Sequence, residues 1–293
     1  MKEIVVISGK GGTGKTSVTA SLAVLANKDA VIADCDVDAA DMHLLTKPEV
    51  QKSESFFSGL LAQIKSDLCI NCGLCVETCR FNAISVKNDK YSVAPLNCEG
   101  CGYCEKVCPQ KAIVMHEQNI GNWFISKTKM SNILVHAKLG IGAENSGKLV
   151  AKVKNEAKKI AQEQNLKYII VDGSPGIGCP VVSSLSGANY VVLVTEPSIS
   201  GLHDLKRVYE LVKKFQIKAG CIINKHDINP EITNNILNYL DSEGIDYINS
   251  LPYNENFTKA MLQGKTIVEY NDPEMKELIY NTWGKITSTE HLK

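Results

Sequence analysis

No stretch of these 293 residues is apolar for long enough to cross a bilayer. Runs such as "YVVLVT" stop far short of the roughly 20 residues a spanning helix needs. Net charge is also missing. Lys+Arg and Asp+Glu stand at 32 each, which gives no support to nucleic acid or an acidic membrane surface as partner. Nor does the chain open on a charged leader followed by an apolar run. "MKEIVVIS" reads as a strand, so no signal peptide is expected. These absences predict a soluble, cytoplasmic protein with no stable membrane insertion and no nucleic-acid partner. The length leaves room for one large α/β domain and one small module.

Cysteine, by contrast, is plentiful. Eleven cysteines in a cytoplasmic chain point to metal rather than to disulfides. Eight of them fall between residues 69 and 108, in two stretches that align at an offset of 29. "CINCGLCVETCRFNAI" starts at Cys69 and "CEGCGYCEKVCPQKAI" at Cys98. Gly73 matches Gly102, Ala83 matches Ala112, and Ile84 matches Ile113. Each half is C-x2-C-x2-C-x3-C, the spacing of a ferredoxin with two [4Fe–4S] clusters, in which the fourth cysteine of each run ligates the other cluster. By that rule Cys69, Cys72, Cys75 and Cys108 hold one cluster, and Cys98, Cys101, Cys104 and Cys79 the other. Structural zinc is the competing reading, but zinc is usually held by two separated C-x2-C pairs, not by a doubled run of four. One departure is Arg80, which stands where the pattern has proline; the second run keeps Pro109. Such a module has little purpose beyond moving electrons.

Around it lies a nucleotide site. "GKGGTGKTS" (9–17) follows the strand "IVVIS" and precedes the helical "SVTASLAVLA", and it matches G-x-x-x-x-G-K-[ST]. Gly11, Gly12, Thr13 and Gly14 form the loop whose N–H groups approach phosphate, and Ser17 follows it into the helix. Lys15 reaches the terminal phosphates and Thr16 can ligate Mg²⁺. Strands are expected near 30–34, 168–172, 189–194, 219–223 and 246–250, with helices near 145–164, 200–215 and 230–243. On the first of these helices Leu149, Val150, Val153, Ala157, Ile160 and Ala161 make a core-facing stripe. The fold class predicted is α/β: a mostly parallel sheet covered by helices on both faces, with an inserted ferredoxin-like α+β module.

Lys10, a second lysine just after the first P-loop glycine, resembles the deviant Walker A motif of the MinD/Mrp/nitrogenase-iron-protein family of dimeric P-loop ATPases, the SIMIBI class. "DCDVDAADMHLL" (34–45) is similar to that family's switch I, and "VDGSPGIG" (171–178) to its Walker B and switch II. "INK" (223–225) and "LPYNENF" (251–257) resemble its adenine-side loops, which implies roles for Asn224 and Pro252. The resemblance runs over residues 1–58 and 119–293, and the module at 59–118 interrupts it. It implies ATP and Mg²⁺ as ligands and a homodimer in which Lys10 crosses to the partner's phosphates. Asp36 would orient the attacking water, and Asp34 and Asp172 would support Mg²⁺ through water. Lys10 as a solvated loop lysine is the plainer alternative. "NKHD" (224–227) also fits guanine recognition, with Asp227 either accepting guanine N–H groups or capping the next helix.

Three functions follow. The leading one is an ATPase whose cycle gates electron transfer toward a redox or metallocluster protein. The second is a factor that assembles or carries a metal–sulfur cluster. The third is a MinD-like positioning ATPase with a membrane-binding tail, for which Leu278, Ile279, Trp283 and Ile286 would be the apolar stripe; core packing is the plainer reading of that stripe. Cys179 carries the one further expectation. With Pro180 at the first position of a helix, Cys179 would be its N-cap and a reactive thiol. Its spacing from Asp172 matches the switch II cysteine that holds a shared cluster in the nitrogenase iron protein. The stretch 138–150 lacks that protein's second cysteine, so two Cys179 thiols would form an open interface site for a labile metal or cluster. A small packing residue behind the switch is the alternative.

Overall fold

The computed structural model describes residues 1–140, 142, 145–289 and 292. It forms two compact units: residues 1–54, 123–138 and 146–293 make the first, and residues 55–122 and 139–145 the second.

The first unit is built on β1 (Lys2–Ile7), α1 (Lys15–Ala26), β2 (Ala30–Asp34) and α2 (Met42–Thr46). Two long strands, β3 (Glu49–Ile64) and β6 (Ile113–Lys127), run from one unit into the other. Between them the second unit holds α3 (Leu74–Thr78), β4 (Ile84–Lys87), β5 (Lys90–Val93) and α4 (Tyr103–Val107). After β7 (Ile133–Leu139) the first unit alternates α5 (Ser146–Glu163), β8 (Tyr168–Asp172), α6 (Cys179–Leu185), β9 (Tyr190–Thr195) and α7 (Ile199–Lys214). It ends with β10 (Ala219–Asn224), α8 (Pro230–Glu243), β11 (Asp246–Leu251), α9 (Asn256–Leu262) and α10 (Pro273–Ser288).

The sheet order is β11-β10-β9-β1-β8-β2-β7-β6-β3, and the six pairings from β11 to β7 are all parallel. Parallel strands need covered faces, and β1 shows why. Ile4 and Val6 point into a core shared with Val18 and Leu22 of α1 and with Met275, Ile279 and Ile286 of α10. Val5 and Ile7, alternating to the other face, are buried just as fully. On that side α5 packs on β2 and β8, and α6 on β1. The expected stripe on α5 is buried throughout. Leu278 and Trp283 pack against the α10 core, with Trp283 set edge-on to Tyr168 at 5.3 Å. The stripe once open to a membrane role is therefore core.

Three strands of the nine-stranded sheet depart from expectation: β3, β6 and β7 were not anticipated. Register then explains the site. Val6 and Asp34 both lie opposite Asp172, so two aspartates sit side by side at the carboxyl ends of β2 and β8. Ligands of open α/β sheets bind at those ends.

In the second unit the two halves of the repeat fold alike. Gly73 and Gly102 precede α3 and α4 with φ of 82° and 71°, a left-handed turn that a side chain would strain. The N–H groups of Ala83 and Ala112 donate to Cys79 Sγ and Cys108 Sγ at 3.4 and 3.2 Å.

Candidate functional site: a nucleotide cleft and two cysteine cavities

Gly14 ends the P-loop in a left-handed conformation, φ 89°, and no side chain caps the first turn of α1. Those free N–H groups and the helix dipole favour an anion. A Cβ on Gly14 would lie 2.4 Å from Asn224 Nδ2, so only glycine lets the loop sit on β10. Asn224 Nδ2 donates to Thr13 O at 2.8 Å and its Oδ1 accepts from Lys225 N. Its amide thus braces the loop.

The cleft above the loop measures about 830 Å³ out to its open mouth. Gly11, Gly12, Thr13, Gly14, Lys15, Thr16, Ser17 and Asp36 all line it. Sequence reasoning missed Ala39, Asp41, Leu45, Pro175 and Met261, which join them. Met261 comes from α9, far along the chain, and no motif signals it.

Lys15 is buried with its Nζ 2.8 Å from Asp172 Oδ1 and 3.3 Å from Asp36 Oδ2. Burial works against its charge, but Asp172 and Asp36 outweigh it and hold the ammonium pKa above the usual value. Thr16 Oγ1 donates to Asp172 Oδ2 at 2.7 Å, and Thr19 Oγ1 to Oδ1 at 3.0 Å. Asp34 accepts the Asp36 N–H on Oδ1, while its buried Oδ2 has no hydrogen-bond partner among the described residues. Burial, with Asp172 alongside, pushes the Asp34 carboxyl well above its ordinary range. Burial raises Asp36 as well, against the pull of Lys15. Three carboxylates thus face one ammonium, and the orphaned oxygen marks a place for more positive charge.

Lys10 does not point into solvent. Its Nζ pairs with Glu196 Oε1 at 2.7 Å and donates to Ser198 and Ser200. Lys225 takes the other oxygen of Glu196 at 3.0 Å. Burial opposes the Glu196 charge, yet the two lysines keep its pKa below the usual carboxylate range. Asp227 accepts the Tyr253 N–H at 2.6 Å, and Asn229 rather than Asp227 caps α8. Pro252 sits between β11 and α9, beside that contact.

Switch II closes back on the sheet. Ser174 Oγ donates to Cys35 O at 2.7 Å, and Gly176 N to Ser8 O at 2.9 Å. Gly178 is the N-cap of α6 and Cys179 its first residue, so the helix starts one residue earlier than expected. Cys179 is exposed, which removes the packing reading. Cys35 and Cys221 are buried, and burial drives both thiols strongly upward.

The eight repeat cysteines divide between two cavities of the second unit. Cys69, Cys72, Cys75 and Cys108 line one, and Cys79, Cys98, Cys101 and Cys104 the other. None of the eight forms a disulfide. Among the described residues no three Cys, His, Asp or Glu side chains close on a single ion.

A parallel sheet with this loop between β1 and α1 defines a P-loop NTPase. The chain belongs to the CobQ/CobB/MinD/ParA nucleotide-binding family, whose profile matches residues 4–267. An uncharacterized protein of Methanocaldococcus jannaschii is 31% identical over 78% of this chain and 79% of its own. The fold is similar to that of the septum site-determining protein MinD complexed with Mg-ADP from Pyrococcus horikoshii. That match has a TM-score of 0.58 at 18% identity, over 98% of this chain and 96% of that one. A ferredoxin of Alicyclobacillus acidocaldarius is 46% identical over 43 residues, 15% of this chain and 55% of the ferredoxin. Among the described residues no helix is long and apolar enough to cross a membrane.

Proposed function

We propose that the chain is an ATP-hydrolysing enzyme, working as a homodimer, whose cycle is coupled to electron transfer through two [4Fe–4S] clusters toward a redox or metallocluster protein. The observation that carries this reading is the four-by-four division of the eight cysteines in a chain that also carries a complete P-loop. The division follows the crossed pattern, three cysteines from one run and the fourth from the other. Four thiols spread round the walls of a hollow suit the four irons of a cubane better than one zinc, which draws its ligands to about 2.3 Å. The ferredoxin similarity supports the same donor set. The proposed domains are an ATPase domain, 1–58 and 119–293, and a 2[4Fe–4S] ferredoxin domain, 59–118. Bound there, each cluster would supply one-electron redox chemistry.

In the cleft, the loop amides and Lys15 hold the phosphates. Thr16 binds Mg²⁺, and Asp34 and Asp172 hold its waters; the orphaned Asp34 Oδ2 fits that task. Asp36 orients the attacking water, and Lys10 reaches the partner chain's phosphates. Phosphoryl transfer asks for this positioning and charge neutralisation and little else. Asn224 and Pro252 lie on the adenine side. The likeness to a MinD complexed with Mg-ADP favours ATP over GTP.

A metal–sulfur assembly or carrier factor of the Mrp type is the second reading, favoured by the exposed Cys179 thiol beside switch II. Paired across a dimer, two such thiols would hold a labile metal or cluster. Anaerobic purification tests the main reading. About eight irons per chain are expected, together with ATP hydrolysis. Stoichiometric zinc in place of iron overturns it, and metal beyond eight irons that is lost in Cys179→Ser establishes the second reading.

A further inference from the structure

We infer that the cleft bounded by Arg80, Phe81 and Tyr103 is the port through which the second cysteine set exchanges electrons with an acidic redox protein; this rests on the iron–sulfur reading above. The cleft is lined by Thr78, Arg80, Phe81, Cys101 and Tyr103 and measures about 670 Å³ out to its open mouth. All of these except Arg80 also line the cavity of Cys79, Cys98, Cys101 and Cys104. The cleft and the cavity therefore share these side chains as a common wall. Cys101 itself is exposed. Electron transfer slows steeply with distance, so a partner seated here, against the exposed Cys101, meets a short path.

The repeat supplies an internal comparison. At the offset of 29, Thr78, Arg80, Phe81 and Tyr103 correspond to Val107, Pro109, Gln110 and Leu74. Both halves adopt the same backbone turns, so folding does not require a cation and two aromatics on one side alone. Phe81 is 44% and Tyr103 54% exposed. Arg80 is exposed and has no ion pair among the described residues. Glu77 and Glu105, exposed on α3 and α4, do not line the cleft.

Aromatics with arginine are the composition of a protein interface rather than of idle surface. Electron-transfer encounters bury little area, under about 1,200 Å² in all, so one charged anchor and two aromatics suffice. An unpaired guanidinium selects a carboxylate, which it can grip with two parallel hydrogen bonds. The occupant is thus a protein that presents carboxylates around its own redox centre. One electron passes between the reduced site and the partner's oxidised centre, and no bond is made or broken.

The test mixes anaerobically purified, dithionite-reduced full-length protein with an oxidised acidic flavodoxin in a stopped-flow instrument. Iron and sulfide are assayed on every sample. Arg80→Glu should slow transfer about tenfold at low ionic strength, and the difference should vanish in high salt. Pro109→Glu, at the equivalent position of the other half, should leave the rate unchanged. Driving force cannot mimic this result, because a negative charge beside the site makes it a stronger donor. An Arg80→Glu rate equal to wild type, or slowing that persists in high salt, overturns the port. Equal slowing by Pro109→Glu also overturns it. Protein without iron would instead overturn the iron–sulfur reading, and the port with it.

Discussion

Thr16 and Asp172 are joined by a 2.7 Å hydrogen bond, and the same carboxylate receives Lys15 at 2.8 Å. One side chain at the end of β8 therefore holds both the cation and the hydroxyl that the P-loop offers to a bound nucleotide. The arrangement is charged for a metal, since Asp34, Asp36 and Asp172 outnumber Lys15. Asp172→Asn should lower ATP hydrolysis by at least about 100-fold, because positioned charge is the main source of catalysis here. The requirement for Mg²⁺ should shift to higher concentration. Hydrolysis measured across a Mg²⁺ series checks both, and a wild-type profile would exclude Asp172 from the metal site.

Lys10 is held within its own chain by Glu196, Ser198 and Ser200. To reach a partner's phosphates it must leave that pocket, where Lys225 remains to satisfy Glu196. Lys10→Ala should therefore bind nucleotide within about threefold of wild type, since Lys15 and the loop amides are untouched. Hydrolysis and ATP-dependent dimerisation should be lost. Light scattering with and without ATP reads the second effect, and wild-type hydrolysis by Lys10→Ala would remove the deviant Walker A role.

Lys154 of α5 is buried against Glu3, 2.6 Å away, and also donates to the carbonyls of Ser184 and Ser186 at the end of α6. The pair ties the helix after switch II to the first strand. Lys154→Met strands a buried carboxylate and two carbonyls and should cost about 3–5 kcal/mol. Adding Glu3→Gln should recover more than half of that loss, because the stranded charge dominates it. Denaturant midpoints of the single and double variants decide between this and simple loss of packing.

The contrast between legible and hidden features has physical causes. The P-loop, the cysteine runs and the α5 stripe were legible because each is a local pattern of fixed period or spacing. The strand β3 was hidden because "EVQKSESFFSGLLAQI" has mostly exposed side chains and no clean alternation. The start of α6 was misplaced by one residue because proline is tolerated throughout a first helical turn, and here it takes the second position. Asn224 and Asp227 were ambiguous for another reason. Their partners, Thr13 and Tyr253, lie 211 and 26 residues away, and no local motif reports such contacts.

The crossed division of the cysteines gives the sharpest test of the second unit. Cys108 belongs to the second run in sequence but lines the cavity of Cys69, Cys72 and Cys75. Cys79 belongs to the first run but lines the cavity of Cys98, Cys101 and Cys104. Each receives an N–H bond, from Ala112 and Ala83 respectively, so their sulfurs occupy equivalent positions. Cys108→Ser and Cys79→Ser should each lose one cluster, about four irons per chain, and keep the other. The decisive comparison pairs each variant with a near neighbour. If ligation is crossed, Cys108→Ser should share its remaining redox step with Cys72→Ser, and Cys79→Ser should share its own with Cys101→Ser. If each run held its own cluster, Cys108→Ser would match Cys101→Ser instead. Potentiometric titration followed by absorption and electron paramagnetic resonance separates the two outcomes, and pairing by run would overturn the crossed assignment.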